Sequence, residues 1–267
     1  MKKIVRMFIS GVSIIALLAV MAVGLYNKNS AVSYKDESDK KGQVYLASLE
    51  NKDVASIEQE IDSKKDALKQ YDEADKKAVS AAKNSNIDFK SYYSNSVFMG
   101  DSITESIKEY KYLNDINVLA KKGQTLIQLE KSLNELYGIK PQKVFLLYGM
   151  NDVQLFKTCD EFKKKYYEVV KEVKKNIPKT QIYILSPLSV IDSKAVATDK
   201  AVNNKNLDQY RSAAVEVAKN EGVNYIDINK LTMGKDSMHE PDGIHFKYDF
   251  YKVMLNYIHD EMENNKK

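Results

Sequence analysis

Cysteine is nearly absent from this 267-residue chain, with Cys159 the only one. A lone thiol cannot staple a fold, so order must come from burial and hydrogen bonding. The stretch around it, Lys157-Thr158-Cys159-Asp160, supplies no histidine to make the thiolate that a cysteine nucleophile needs. Cys159 also lies far beyond the N-terminal apolar run, which excludes acylation of the lipoprotein kind. The chain has no glycine-rich phosphate loop of the P-loop or dinucleotide type. It has no basic stripe interleaved with aromatics, which argues against nucleic acid as a partner. The net charge of +4 is the small remainder of 41 basic and 37 acidic residues. That balance suits ordinary solubility, with attraction to anionic wall polymers or a membrane surface the weaker reading. No internal repeat is evident.

Long apolar runs are also few, and one stands apart. Met7 to Tyr26 carries no charge and comes after Lys2, Lys3 and Arg6. A helix needs about 20 such residues to cross a bilayer. Basic residues on the short N-terminal side hold that side in the cytoplasm and put the remainder outside. A cleaved signal peptide is the competing reading, with Ala22-Val23-Gly24 as its cleavage site. The length of the run favours an uncleaved anchor over 1–26, and both readings export the rest of the chain. Residues 27–91 then read as a polar linker and helical stalk. Asn27 to Gly42 has little to bury. Val54, Ile57, Ile61, Leu68, Tyr71, Ala78 and Ala82 fit a heptad frame that Lys64 and Asp75 interrupt, so an amphipathic spacer helix fits better than a coiled coil.

From residue 92 to 267 short apolar runs alternate with amphipathic stretches. Candidate strands are Ser96–Met99, Asn117–Ala120, Lys143–Tyr148, Gln181–Ser186 and Asn224–Asp227. Near-continuous runs such as Val144-Phe145-Leu146-Leu147-Tyr148 suit strands covered on both faces. Candidate helices are Thr104–Tyr110, Leu126–Tyr137, Cys159–Asn176, Lys205–Asn220 and Tyr248–Glu263. The alternation predicts βαβ units. The fold class is therefore α/β, a three-layer α/β/α sandwich around a five-stranded parallel sheet of flavodoxin-like order. Pro187–Asn203 and Asn229–Ile244 read as long irregular stretches placed directly after strands, and so at the edge where open α/β sheets do their chemistry.

That edge collects the chemistry-bearing residues. Ser102 comes after the first strand in Gly100-Asp101-Ser102, at the start of a helix whose free N–H groups can bind an anion. The plain alternative is that Asp101 and Ser102 only cap that helix. Asp242 and His245 stand three residues apart, so one short loop can present an imidazole to take a serine proton and a carboxylate to orient it. Of the chain's three histidines, His239 reads as a solvent-exposed or rim residue and His259 as a surface residue beside Asp260. Asn151 comes after the strongest apolar strand in Gly149-Met150-Asn151-Asp152, and its amide can donate to an oxyanion or merely shape a turn. Gly123 comes after the second strand, where its N–H can do the same or where it is simply a turn glycine. Asp152 reads as support for the Asn151 loop. His239, His245, Asp236, Glu240 and Asp242 resemble metal ligands by composition but lack the spacing of a defined site.

Taken together, the Gly-Asp-Ser, Gly-x-Asn-Asp and Asp-x-x-His blocks over about Tyr93 to Glu263 resemble the SGNH hydrolases, the GDSL-type esterases and acylhydrolases. The resemblance places the family's serine at Ser102, its glycine at Gly123, its asparagine at Asn151 and its histidine at His245, with Asp242 completing a triad. Many members carry a glycine shortly after the serine, where this chain has Glu105-Ser106. The resemblance implies ester hydrolysis through an acyl-serine intermediate, with Ser102 N–H, Gly123 N–H and Asn151 Nδ2 around the oxyanion and with no metal or other cofactor. Location then suggests O-acetyl groups of cell-wall carbohydrate as substrate. A lipid or lysophospholipid acylhydrolase, an O-acyltransferase and a non-catalytic wall-binding module are the alternatives. An apolar groove beside Ser102 would favour lipid, and a shallow polar cleft an acetylated sugar.

Overall fold

The structure, a computed structural model, describes residues 87–233 and 235–264. The expected anchor over 1–26 and nearly all of the stalk lie outside the described residues. Among the described residues no helix is long and apolar enough to cross a membrane.

The chain enters through a four-residue helix, α1 (Phe89–Tyr92), capped by the Asp88 side chain on Ser91 N–H. Phe89, just ahead of residue 92, is buried, with its ring 6.0 Å from that of Tyr112. Next come β1 (Ser96–Gly100), α2 (Ser102–Glu109), β2 (Val118–Ala120), α3 (Glu130–Ile139), β3 (Lys143–Leu147), α4 (Asp152–Leu155) and α5 (Cys159–Asn176). The chain closes with β4 (Gln181–Leu185), α6 (Asp192–Thr198), α7 (Asn204–Glu221), β5 (Asn224–Ile226) and α8 (Tyr248–Asn264).

All five strands run parallel in the order β2-β1-β3-β4-β5. The expected strands thus agree with the sheet to within a residue or two at each end. The apolar runs are strands because both faces are covered: Val97, Met99, Val144, Phe145, Leu146 and Ile184 are sealed from solvent. Register places Phe98 beside Phe145 and Phe145 beside Tyr183. Their rings stack at 4.4 and 5.0 Å, joining the three central strands through one aromatic row. On one face α5 packs between α3 and α7. On the other, α8 meets the α2 end through Tyr251 and Tyr110, with rings 5.3 Å apart, and its Leu255 carbonyl accepts from the Tyr93 hydroxyl.

Helix α5 has the bounds its apolar period predicts. The Thr158 side chain accepts from Glu161 N–H, Asp160 and Glu161 fill the first turn, and Lys174 and Lys175 fill the last. Cap and charges match the orphan N–H groups and the dipole at each end. Elsewhere the periodicity misleads. The segment from Leu126 opens as a single 3₁₀ turn, Leu126–Gln128, and the α-helix starts only at Glu130. A buried carboxylate from the start of α4, Asp152, claims Leu126 N–H at 2.8 Å and holds that turn against the sheet edge. The stretch Pro187–Asn203 is not wholly irregular, because it contains α6. That helix buries only Ala195, so no apolar stripe betrays it.

Gly100 ends β1 where the chain must pass between β3 and the first turn of α2. A Cβ there would overlap Thr104 Oγ1 and lie 2.7 Å from the Leu147 carbonyl oxygen. The backbone oxygen belongs to the sheet and cannot withdraw. Gly100→Ala is expected to destabilise the fold by about 1–3 kcal/mol, read as a lower denaturant midpoint at unchanged slope. A midpoint equal to wild type would contradict this packing.

Candidate active site

Helix capping and a free serine hydroxyl turn out to be divided between two neighbours. The Asp101 side chain accepts from Ile103 N–H at 3.0 Å and is the cap of α2. Ser102 is the first residue of that helix, and its Oγ lies 2.9 Å from His245 Nε2. His245 Nδ1 lies 2.6 Å from Asp242 Oδ2. A ring nitrogen against a carboxylate carries the hydrogen, which leaves Nε2 as acceptor for the serine hydroxyl. Ser102, His245 and Asp242 thus form one hydrogen-bonded chain, each partly open to solvent.

The spacing of Asp242 and His245 works because the carboxylate also builds its own loop. Asp242 Oδ1 accepts from Ile244 N–H at 2.9 Å and from His245 N–H at 3.0 Å. Gly243 between them has φ +73°, and its Cβ position is occupied by Ile191 and Lys194. Its carbonyl accepts from Ile191 N–H at 2.8 Å, anchoring the loop to the chain after β4. Burial alone would raise the Asp242 carboxyl, but the Ile244 N–H, the His245 ring and the His245 N–H together hold it below the usual carboxylate value.

Asn151 arrives from the far side of Ser102, at the turn after β3. Its Nδ2 donates to Asp101 Oδ2 at 3.0 Å and makes a longer 3.5 Å contact with the Gln124 carbonyl. Asp101 therefore does two jobs, capping α2 with one oxygen and orienting Asn151 with the other. Its carboxyl is fully buried, and burial pushes it up to about 7 against the pull of Ile103 N–H. Sequence alone assigns Asp101 only the cap, since a contact across fifty residues leaves no local signal. Asp152 has the supporting part expected of it. One oxygen takes Leu126 N–H at 2.8 Å and the other Gly149 N–H at 2.9 Å, tying the loop after β2 to the loop after β3. Gly123 sits on that tied loop with φ +75°, exposed and with open space where a Cβ would stand. It is brought beside the others through its neighbour Gln124 rather than by a side chain of its own.

The remaining histidines differ from expectation. His239 is buried rather than exposed, its Nε2 2.9 Å from the Ser189 carbonyl and away from Ser102. His239 and His245 therefore do not converge as a ligand pair. His259 is half-buried, with its ring 4.6 Å from Tyr92 and its Nδ1 2.8 Å from Asp260. Cys159 lies on the other flank, its Sγ 3.3 Å from the Gln209 carbonyl, and burial pushes the thiol up. Beside Gly123 opens a cleft of about 820 Å³ between α2 and the start of α3. Glu105, Lys121, Lys122, Gln124, Gln128 and Ser132 line it, with Lys122 N–H donating to Glu105 at 2.7 Å.

Comparison with known proteins bears on the family and the fold. The family model of the GDSL-like lipase/acylhydrolase family matches residues 98–253, more than half of the chain, from within β1 into the first turns of α8. No curated protein matches the sequence. Among solved structures, a Streptococcus pneumoniae protein whose name refers to platelet activating factor is 21% identical, with a TM-score of 0.54 over 79% of this chain and all of that one. A GDSL-like lipase from Bacteroides thetaiotaomicron is 18% identical, with a TM-score of 0.51 over 63% of this chain and 87% of its own. The lipase/acylhydrolase of Enterococcus faecalis is 19% identical, with a TM-score of 0.50 over 64% and 96%. At such identities these likenesses speak for the fold.

Proposed function

Because the chain belongs to the GDSL-like lipase/acylhydrolase family and is a serine ester hydrolase, we propose that Ser102 is its nucleophile, His245 its general base and Asp242 the group that orients the base. The observation that carries this reading is the unbroken chain from Ser102 Oγ through His245 to Asp242, at 2.9 and 2.6 Å. In it Ser102 Oγ attacks the ester carbonyl while His245 Nε2 takes the proton. Ser102 N–H, Gly123 N–H and Asn151 Nδ2 receive the developing oxyanion. His245 then protonates the departing alcohol, and Asp242 stabilises the imidazolium in between. Water repeats the sequence to free the acid and restore Ser102.

The substrate in this proposal is a small acyl group on a polar alcohol, such as an O-acetyl group of wall carbohydrate. The cleft beside Gly123 supports it, since lysines, carboxylates and amides outnumber the apolar Val118, Leu119 and Ala120 in its lining. Met7–Tyr26 behind Lys2, Lys3 and Arg6 supports a membrane-tethered enzyme facing away from the cytoplasm. One observation favours lipid instead: Ile127, in the 3₁₀ turn after β2, and Leu155, at the end of α4, are about half exposed.

A panel of p-nitrophenyl esters from acetate to palmitate, with acetylated xylan and O-acetylated peptidoglycan beside it, tests the proposal on the purified full chain. Highest kcat/KM on acetyl esters, with acetate released from the carbohydrate, is expected. A preference for long acyl chains overturns the substrate class, and no turnover of any ester overturns the catalytic reading.

A further inference from the structure

Apart from α6 and two 3₁₀ turns, the stretches after β4 and β5 are irregular, yet one of them presents Asp242 and His245. Besides the Ile191–Gly243 hydrogen bond, a buried polar network that the hydrolytic chemistry does not use ties them together. His239 Nε2 donates to the Ser189 carbonyl at 2.9 Å. Ser189 Oγ donates to Asn229 Oδ1 at 2.7 Å, and Ser189 N–H donates to Thr232 Oγ1 at 3.3 Å. Thr232 Oγ1 in turn donates to the Asn229 carbonyl at 3.0 Å, and Asn229 N–H donates to Ser186 Oγ at 2.8 Å. Ser186, Asn229, Thr232 and His239 are all buried.

His239 is the member that touches the catalytic loop. It pairs with Phe246 across a short antiparallel bridge, the residue directly after His245. Glu240 N–H donates to the His245 carbonyl at 2.8 Å, and Lys247 N–H donates to the Met238 carbonyl at 2.9 Å. The His239 ring lies 4.5 Å from that of Phe246, which stacks at 4.1 Å on Phe250 of α8. A phenylalanine at 239 would keep this packing. What the imidazole adds is one hydrogen bond, from Nε2 to the chain after β4. Its Nδ1 is buried without a partner. A residue selected only to fill the core would not leave a ring nitrogen unmatched there.

We infer that His239 is a positioning residue: by tying the hairpin of residues 238–247 to Ser189, it sets the height at which His245 meets Ser102. This rests on the proposed roles of Ser102 and His245 and names a residue outside them. A displacement of about 1 Å in a reacting group can cost about a hundredfold in rate.

The test uses the full chain with His239→Phe, which keeps the ring, and His239→Gln, whose Nε2 can reach the same carbonyl. His239→Phe is expected to lower kcat by about ten- to a hundredfold with KM nearly unchanged. Labelling of Ser102 by a fluorophosphonate should slow in parallel. His239→Gln is expected to recover most of both, which a filler of the core would not do. If His239→Phe does not fold, Ser189→Ala decides, since it frees Ser189 from Asn229 and should lower kcat in the same sense at unchanged KM. Wild-type kcat in His239→Phe, a His239→Gln as slow as His239→Phe, or wild-type kcat in Ser189→Ala where that variant decides, overturns the inference alone. A wild-type protein inert to every ester overturns the catalytic reading, and this inference with it.

Discussion

Ser102→Ala is expected to lower ester turnover by about ten-thousand-fold to a million-fold. The size reflects the absence of any other nucleophile in the chain of contacts. His245 Nε2 has its 2.9 Å partner in Ser102 Oγ, and with the hydroxyl gone the base can activate only water, which nothing positions. Residual turnover would come from the oxyanion donors and from binding, as for other triads that have lost a member. His245→Ala should cost a similar factor, and the double variant little more, because the two act as one unit. The fold should tolerate the serine change. The α2 cap is the Asp101 side chain, and the Ser102 carbonyl that accepts from Ser106 Oγ is backbone. Chemical denaturation should therefore place Ser102→Ala within about 0.5 kcal/mol of wild type. Turnover above a tenth of wild type, in a folded variant, would remove Ser102 from the role of nucleophile.

A sequence discloses whatever is written locally. The strands are legible because a parallel sheet covered on both faces demands unbroken apolar runs, as in Val144 to Tyr148. Helix α5 is legible to the residue, since its stripe of Phe162, Tyr166, Val169, Val170 and Val173 is both periodic and buried. Ser102, Asn151 and the Asp242–His245 pair are legible because each comes directly after a strand or shares one loop. Apart from α6, which has no apolar stripe to betray it, the misses involve partners distant in sequence. Leu126 begins a 3₁₀ turn on account of Asp152, 26 residues on. Asp101 reaches Asn151 across 50 residues, and His239 reaches Ser189 across 50. His239 reads as exposed because it lies in a Ser/Met/Glu-rich loop with no evident partner. Met238 and Glu240 point outward in part while the bridge to Phe246 turns His239 in. Composition of a loop says little about which of its side chains the fold will bury.

The second large effect is expected at Asn151. Removing one preorganised oxyanion donor costs about a hundred- to a thousandfold in kcat. Asn151→Ala should fall in that range, with KM changed far less. On the proposed mechanism Asp101 would set how much of that donor is realised, because its Oδ2 holds Asn151 Nδ2 at 3.0 Å. Asp101→Asn keeps an oxygen for the Ile103 cap but turns an amide toward Asn151, so two donors face one another. It should lose a large part of what Asn151→Ala loses, and adding it to Asn151→Ala should cost little more. Full additivity of the two would break the proposed link. Stability supplies a separate reading of the same carboxyl. Burial raises Asp101 to about 7 and Asp152 to about 6, above the 3.8 of a free aspartate. Between those values the unfolded chain releases protons that these two folded carboxyls keep, so their contribution makes unfolding free energy fall as pH rises from about 4 to 7. Asp101→Asn removes one of the two groups and should flatten that fall. A slope identical to wild type would mean that Asp101 ionises freely in the folded protein, and that its burial against Asn151 costs nothing.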